Sequence, residues 1–273
     1  MSGREDRRLR VGAVSYLNTR PLVYGLAESA PQIELLFDLP SRLADGLAAG
    51  KYDVALIPVV EFLREPQYSI VSDACIACRG PVLSVKLLSR KPIDQIQTLA
   101  LDEGSRTSAA LVQILLERRH GIRPQLLPLP ITAEVASTPA DAILLIGDRA
   151  IHPPAGPYAE VWDLGDEWCR WSERPMVFAL WASRPGVDLR GLDAILAEAR
   201  DRGLANLESI ARTEAAAVAL TPRECLSYLR DNLYFFLGPR ELEGLRLYHQ
   251  EAARLGFAPR GEGLSFHDYQ AAR

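Results

Sequence analysis

The polar residues of this chain that could do chemistry lie in short clusters, and no cluster is a strong catalytic signature by itself. Ser105-Arg-Thr-Ser108 is the densest. Hydroxyls and free backbone N–H groups at a helix start, on the positive end of the dipole, suit a carboxylate. Plain N-capping, which any helix start favours, is the ordinary alternative for Ser105, Arg106, Thr107 and Ser108. Asn18 follows an apolar strand, where its amide can bind or orient a substrate, or close an Asx-turn ahead of Pro21. In Gly80-Pro-Val-Leu-Ser84 the glycine lets backbone N–H groups approach a ligand, and Ser84 offers a strand hydroxyl. Gly147-Asp148 stands at the tip of an apolar strand, with Asp148 either a site carboxylate or a helix cap. Glu61 could act as a base, although a first-turn glutamate favoured by the helix dipole is the duller reading. Trp162, Trp168, Trp171 and Trp181 offer an aromatic wall for a planar ligand or, more simply, core packing. The sequence holds no G-x-G-x-x-G, Walker loop or G-x-S-x-G elbow.

Metal chemistry is disfavoured. Cys75 and Cys78 form a C-x-x-C inside the strand-like Ala74-Cys-Ile-Ala-Cys78, where positions three apart point to opposite faces. Zinc would need two more ligands, and Cys169 and Cys225 lack a paired spacing. His120, His152, His249 and His267 show no ligand spacing either.

The elements that must position these residues read as follows. Leu9 to Val14 is a strand, leading into the polar loop Ser15-Tyr-Leu-Asn-Thr-Arg20; Pro21 then opens a helix. Gln32 to Phe37 is a second strand, Arg42 to Ala49 a short helix ending at Gly50, and Asp53 to Ile57 a third strand stopped by Pro58. This β-α-β-α-β opening predicts an α/β fold with a parallel sheet. Ligands in such sheets sit beyond the carboxyl ends of the strands, so Ser15 to Asn18, including Tyr16, and Pro58 to Glu61 should occupy that edge. Ile70 to Leu88 is strand-rich. A second unit begins with the strand Thr98–Asp102 and the helix Ala109–Gly121, followed by the buried strand Ala142–Ile146. Val177 to Trp181 is a strand, and the remainder is mostly helical. Leu242, Leu245, Tyr248, Ala252 and Leu255 share one face of the last helix. Two lobes with two crossings are therefore expected, near Arg90 and Pro175. Residues 1–90 and 176–273 would form the first lobe, and residues 91–175 an inserted second lobe.

The chain has 273 residues, 48% hydrophobic and 24% charged, which fits a globular protein with a sizeable core. With 31 Lys and Arg against 35 Asp and Glu, the net charge is −4. That balance gives no footprint for nucleic acid or an anionic membrane surface. No apolar run is long enough to span a bilayer, and Met1 to Arg10 lacks the apolar core of a secretory signal. A cytoplasmic location is expected.

Five stretches, in this order, resemble the chorismate dehydratase family: Val14-Ser-Tyr-Leu-Asn-Thr-Arg-Pro-Leu22, Ala55-Leu-Ile-Pro-Val-Val-Glu61, Leu101-Asp-Glu-Gly-Ser-Arg-Thr-Ser108, Leu145-Ile-Gly-Asp148 and Asp163-Leu-Gly-Asp-Glu-Trp168. The resemblance runs from Arg10 to about Gly256, and the Ser-Tyr-Leu-Asn-x-x-Pro-Leu opening is its most specific part. A sister family that makes 1,4-dihydroxy-6-naphthoate opens with a Ser-Pro-Cys-Pro-Asn-Asp-like loop, absent here. Glu173-Arg-Pro-Met-Val-Phe178 departs from the Leu-Pro-Phe-Val-Phe-like segment of the family. A non-catalytic solute-binding or sensor protein of the same fold is the reading from another class.

The resemblance implies a two-lobed, type II periplasmic-binding-protein-like fold with a ligand cleft between the lobes. It implies that chorismate loses water to give 3-[(1-carboxyvinyl)oxy]benzoate, in the futalosine route to menaquinone, with no cofactor and no metal. The ring hydrogen beside the enolpyruvyl ether is vinylogous to the ring carboxylate. Its removal spreads charge into that carboxylate, the neighbouring hydroxyl leaves and the ring becomes aromatic. The site must hold a dianion, stabilise delocalised charge and exclude water. No strong side-chain base is evident, and the substrate's own side-chain carboxylate can serve. Asn18 and Ser84 are expected to be catalytic. Ser15, Tyr16, Pro58, Gly80, Ser105, Arg106, Thr107, Ser108, Gly147 and Asp148 are expected to bind substrate.

Overall fold

The structure is a computed structural model and describes residues 7–261 and 264. Among these, eleven strands form two sheets. The first comprises β1 (Leu9–Val14), β2 (Ile33–Asp38), β3 (Val54–Pro58), β4 (Ser69–Cys78), β10 (Met176–Ser183) and β11 (Tyr234–Phe236). Their order is β11-β4-β10-β3-β1-β2. Strand β1 runs parallel to β2 and β3, while β10 lies antiparallel between β3 and β4. The second sheet holds β5 (Val85–Ser89), β6 (Thr98–Asp102), β7 (Gln125–Leu129), β8 (Ala142–Ile146) and β9 (Glu160–Asp163), ordered β7-β6-β8-β5-β9. Strands β3 and β8 are buried along their whole length. That is why both read as unbroken apolar runs rather than alternating ones.

Two crossings join the sheets, and the strands flanking them pair antiparallel on both sides. Met176 of β10 pairs with Cys78 of β4, and Asp163 of β9 with Lys86 of β5. The first crossing thus lies between Cys78 and Val85, ahead of the position expected near Arg90, because β5 belongs to the second sheet. Gly80 to Ser84 reads as a join between two strands, but nothing local shows that the second of them enters the other sheet. The crossing ends in a three-residue turn in which the Ser84 amide donates to the Val82 carbonyl at 2.7 Å and Leu83 stands at φ 59°. Such a turn is rare and strained for a residue with a Cβ. The second crossing falls between Asp163 and Met176. The β1 and β8 strands lie in different sheets, as two lobes require.

The helix Arg106–His120 has Ser105 as its N-cap and ends on Gly121 at φ 68°, the left-handed position that favours glycine. Pro21, expected to open a helix, instead lies inside a 3-10 helix, Leu17–Val23, so Asn18 is within a helical turn rather than capping one. Sequence patterning also missed three short strands. Strand β7 carries Pro128, β9 has four residues and β11 three, too few for a period to show. No helix among the described residues is long and apolar enough to cross a membrane.

Candidate active site

A cavity opens between the sheets at the carboxyl ends of β1, β3 and β8. From the first lobe come Tyr16 and Asn18, following β1, and Pro58 at the end of β3. The crossing contributes Ser84, and the second lobe Ser105, Ser108 and Gly147. Apolar side chains, among them Ile76, Val82, Ile146 and Phe178, fill the remaining wall. Of the expected site residues, the structure therefore brings together Tyr16, Asn18, Pro58, Ser84, Ser105, Ser108 and Gly147.

The other five do not line this cavity, and each has a physical reason. Arg106 turns across to the first lobe, where its guanidinium pairs with Asp45 at 2.7 Å and Glu61 at 3.2 Å. Thr107 is fully buried and its hydroxyl accepts the Val60 amide at 3.3 Å. Asp148 accepts the Leu17 amide at 3.1 Å, so it caps the 3-10 helix of the opposite lobe. Burial pushes its carboxyl above the usual range. Ser15 is exposed and donates its amide to the Asp38 carbonyl. Gly80 faces open space, with nothing within 4 Å of a Cβ placed there. Glu61 does not line the cavity and is engaged with Arg64 and Arg106.

Tyr16 is wedged between the backbones of Gly104 and Gly147. A Cβ on Gly147 would come within 2.8 Å of the ring, and one on Gly104 within 3.0 Å of the phenol oxygen. Both glycines are thus required by the close approach of one tyrosine. Burial, then the charge of Asp102, raises the Tyr16 phenol far from neutrality. Asp102 is itself buried. It accepts the Gly104 amide at 2.9 Å and the Ile146 amide at 3.2 Å, and pairs with Arg149.

Asp163 organises the crossing. One carboxylate oxygen accepts the Val82 amide at 2.9 Å, the other the Leu83 amide at 2.7 Å. The first oxygen also accepts from Gly165 and Asp166, capping the helix Leu164–Ser172. The strained turn that presents Ser84 is therefore held from the second lobe.

Behind Asn18 and Ser84 lies Tyr228, which no sequence signal singled out. It is 2% exposed, and its hydroxyl faces the Ser84 and Asn18 side chains. Burial pushes its phenol well above the ordinary tyrosine value, so it stays protonated. It opens a π-helical turn, Tyr228–Asn232; such turns occur often at functional sites.

Cys75 and Cys78 are buried free thiols, pushed up by burial. Trp162, Trp168 and Trp181 are buried in the core, and no tryptophan lines the cavity. The cavity aromatics are Tyr16 and Phe178. Among the described residues no group of three or more His, Cys, Asp or Glu could hold a metal ion. His267 lies outside the described residues.

Two α/β lobes joined by two antiparallel crossings around a cavity are the periplasmic-binding-protein fold. The structure is similar to a protein of Archaeoglobus fulgidus (TM-score 0.72, 15% identity, 93% of this chain and 99% of that one). It is also similar to the periplasmic aliphatic sulphonate binding protein SsuA of Escherichia coli (TM-score 0.63, 14% identity, 98% and 96%). The family described as menaquinone biosynthesis matches residues 9–254, and the chain belongs to it. A chorismate dehydratase of Thermus thermophilus is 31% identical over 267 residues, covering 91% of this chain and 96% of its own.

Proposed function

We propose that this protein is a cofactor-independent hydro-lyase that removes water from chorismate, giving 3-[(1-carboxyvinyl)oxy]benzoate in the futalosine route to menaquinone, in the cytoplasm. The observation that carries the reading is the composition of the cavity wall. It presents hydroxyls, an amide and a helix start, and among the described residues no Asp, Glu, His, Lys, Arg or Cys lines it. Tyr16 is the one titratable lining group, and it is held protonated. Such a wall supports a reaction in which the substrate brings its own base.

The chemistry follows. One carboxylate of the dianion sits at the start of the Arg106–His120 helix, beside the Ser105 and Ser108 hydroxyls, where the positive dipole end favours charge that spreads into it. The enolpyruvyl carboxylate takes the proton from the ring carbon that carries the ether. The C–H electron pair forms the new ring double bond, and the neighbouring C–O bond breaks. The leaving hydroxyl takes up a proton and departs as water. Asn18 and Ser84 are the catalytic groups in this reading, orienting the departing hydroxyl and the accepting carboxylate. The apolar walls at Ile76, Val82 and Phe178 exclude solvent, which strengthens every such contact.

The test is direct. Purified protein is incubated with chorismate, and the product is identified by mass and NMR. An aromatic product lighter than chorismate by one water supports the reading. Tight binding of chorismate without turnover would favour a non-catalytic solute-binding or sensor protein of this fold instead.

A further inference from the structure

Buried polar groups in folded proteins almost always have partners, and one without demands an explanation. The Tyr228 hydroxyl is such a group. It is buried and finds no hydrogen-bond partner among the described residues. It nevertheless faces the two side chains, Asn18 and Ser84, to which the proposed reaction assigns the chemistry.

Those two neighbours are themselves loosely held. Ser84 Oγ donates to the Val82 carbonyl at 3.4 Å, and Asn18 Oδ1 accepts from the Thr19 hydroxyl at 3.4 Å. Both contacts are at the limit of a hydrogen bond. Either side chain can turn from its weak contact toward the Tyr228 hydroxyl that faces it. The tyrosine itself is firmly placed. Asn232, at the far end of the same π-helical turn, donates its Nδ2 to the Pro81 carbonyl at 2.9 Å, tying the turn to the first crossing.

We infer that Tyr228 is a positioning residue: its O–H donates to Asn18 Oδ1, and its oxygen accepts the Ser84 hydroxyl. A phenol offers one donor and can accept as well, so one group satisfies both neighbours. With Oδ1 held from behind, the Asn18 amide directs its Nδ2 hydrogens into the cavity. Removing the hydroxyl leaves Asn18 in place but free to turn. This assignment rests on the dehydratase reading for its effect on turnover, though not for its effect on the Asn18 amide.

The experiment is Tyr228→Phe. The bonds inferred to Asn18 and Ser84 are few and net hydrogen-bond contributions are modest, so the loss should lower the thermal midpoint by no more than a few degrees. The expected kinetic result is a fall in kcat of about tenfold, with KM within about twofold. In an Asn18→Ala background the same change should have no further effect, because the tyrosine acts through Asn18. In the ligand-free protein, the Asn18 side-chain amide signal, assigned by its loss in Asn18→Ala, should move in Tyr228→Phe. An unchanged kcat, losses that multiply across the two variants, or an unmoved amide signal would overturn the inference. If chorismate is not dehydrated but the amide signal moves, the dehydratase reading fails while the placement of Asn18 by Tyr228 stands.

Discussion

The two polar walls of the cavity are held in opposite ways. At the helix start, Ser105 Oγ accepts the Ser108 amide at 3.3 Å and lies 3.0 Å from the Ser108 hydroxyl. The helix behind them is tied down along its length. Tyr248 donates its hydroxyl to the Thr107 carbonyl at 3.0 Å, and Arg118 makes two bonds to Glu251, at 2.7 and 2.6 Å. Across the cavity, Asn18 and Ser84 sit on a 3-10 helix and beside a strained turn, with weak bonds and an unpartnered tyrosine behind them. The first wall, the proposed anion cradle, already has its hydroxyls hydrogen-bonded to one another and to the helix start. The second keeps hydrogen-bonding capacity in reserve, which suits groups whose interactions must strengthen as charge moves.

This contrast can be broken by substitution. Asn18→Ala should have the largest effect, lowering kcat and kcat/KM together by about 10²–10³ with little change in KM. Steady-state kinetics on chorismate measures it, and a variant altered only in thermal stability would make Asn18 structural. Asn18→Asp sharpens the point, because aspartate can serve a cap as well as asparagine does but has no amide hydrogens to donate. Full activity in that variant would remove the amide from the reaction.

Asp163→Ala comes next. It strips the acceptor from the Val82 and Leu83 amides and uncaps the Leu164–Ser172 helix, so a loss of about 2–3 kcal/mol is expected in a denaturant titration. The strained Leu83 turn then relaxes and Ser84 is misplaced, so kcat should also fall in the fraction still folded. Undiminished stability would show that the turn holds itself.

The cradle should respond differently. Ser105→Ala with Ser108→Ala should raise KM by about tenfold with a smaller fall in kcat, since the hydroxyls bind the ground-state carboxylate while the helix dipole, which favours the spreading charge, remains. A fall in kcat alone would reverse the roles given to the two walls.

The smallest effect belongs to Arg106→Met. This change removes the ion pairs to Asp45 and Glu61 that bridge the lobes, but the pairs are partly exposed. Exposed pairs are worth little, so a change of a few-fold in kcat/KM, diminishing with added salt, is expected. A hundred-fold loss would mean that Arg106 meets the substrate directly.

Much of this architecture was readable in the residues. Leu9–Val14, Asp53–Ile57, Thr98–Asp102 and Ala142–Ile146 announce strands because apolar and β-branched runs end at turn formers. Ser105 announces a helix start because the cap is a local bond from its own side chain to Ser108. Other features were invisible for identifiable reasons. Two residues of one hydroxyl-rich cluster, Thr107 and Arg106, face away from the cavity because Val60, Asp45 and Glu61 claim them. All three partners are more than forty residues away in the chain. Gly80-Pro81 marks the join between the two strands, but the strained turn at Leu83 is a backbone conformation for which leucine carries no signal.

What the sequence determined by itself depends on neighbours within a few positions: the apolar runs of the longer strands, the cap at Ser105 and the glycine stop at Gly121. The tertiary structure alone decided which polar groups meet. Asn18, Ser84 and Tyr228 converge only because β1, the first crossing and the late π-helical turn close on one another. The direction of each side chain follows from the partners that packing supplies, since a buried donor or acceptor turns to whatever satisfies it. Where packing supplies no partner, as at Tyr228, the group remains available to the site.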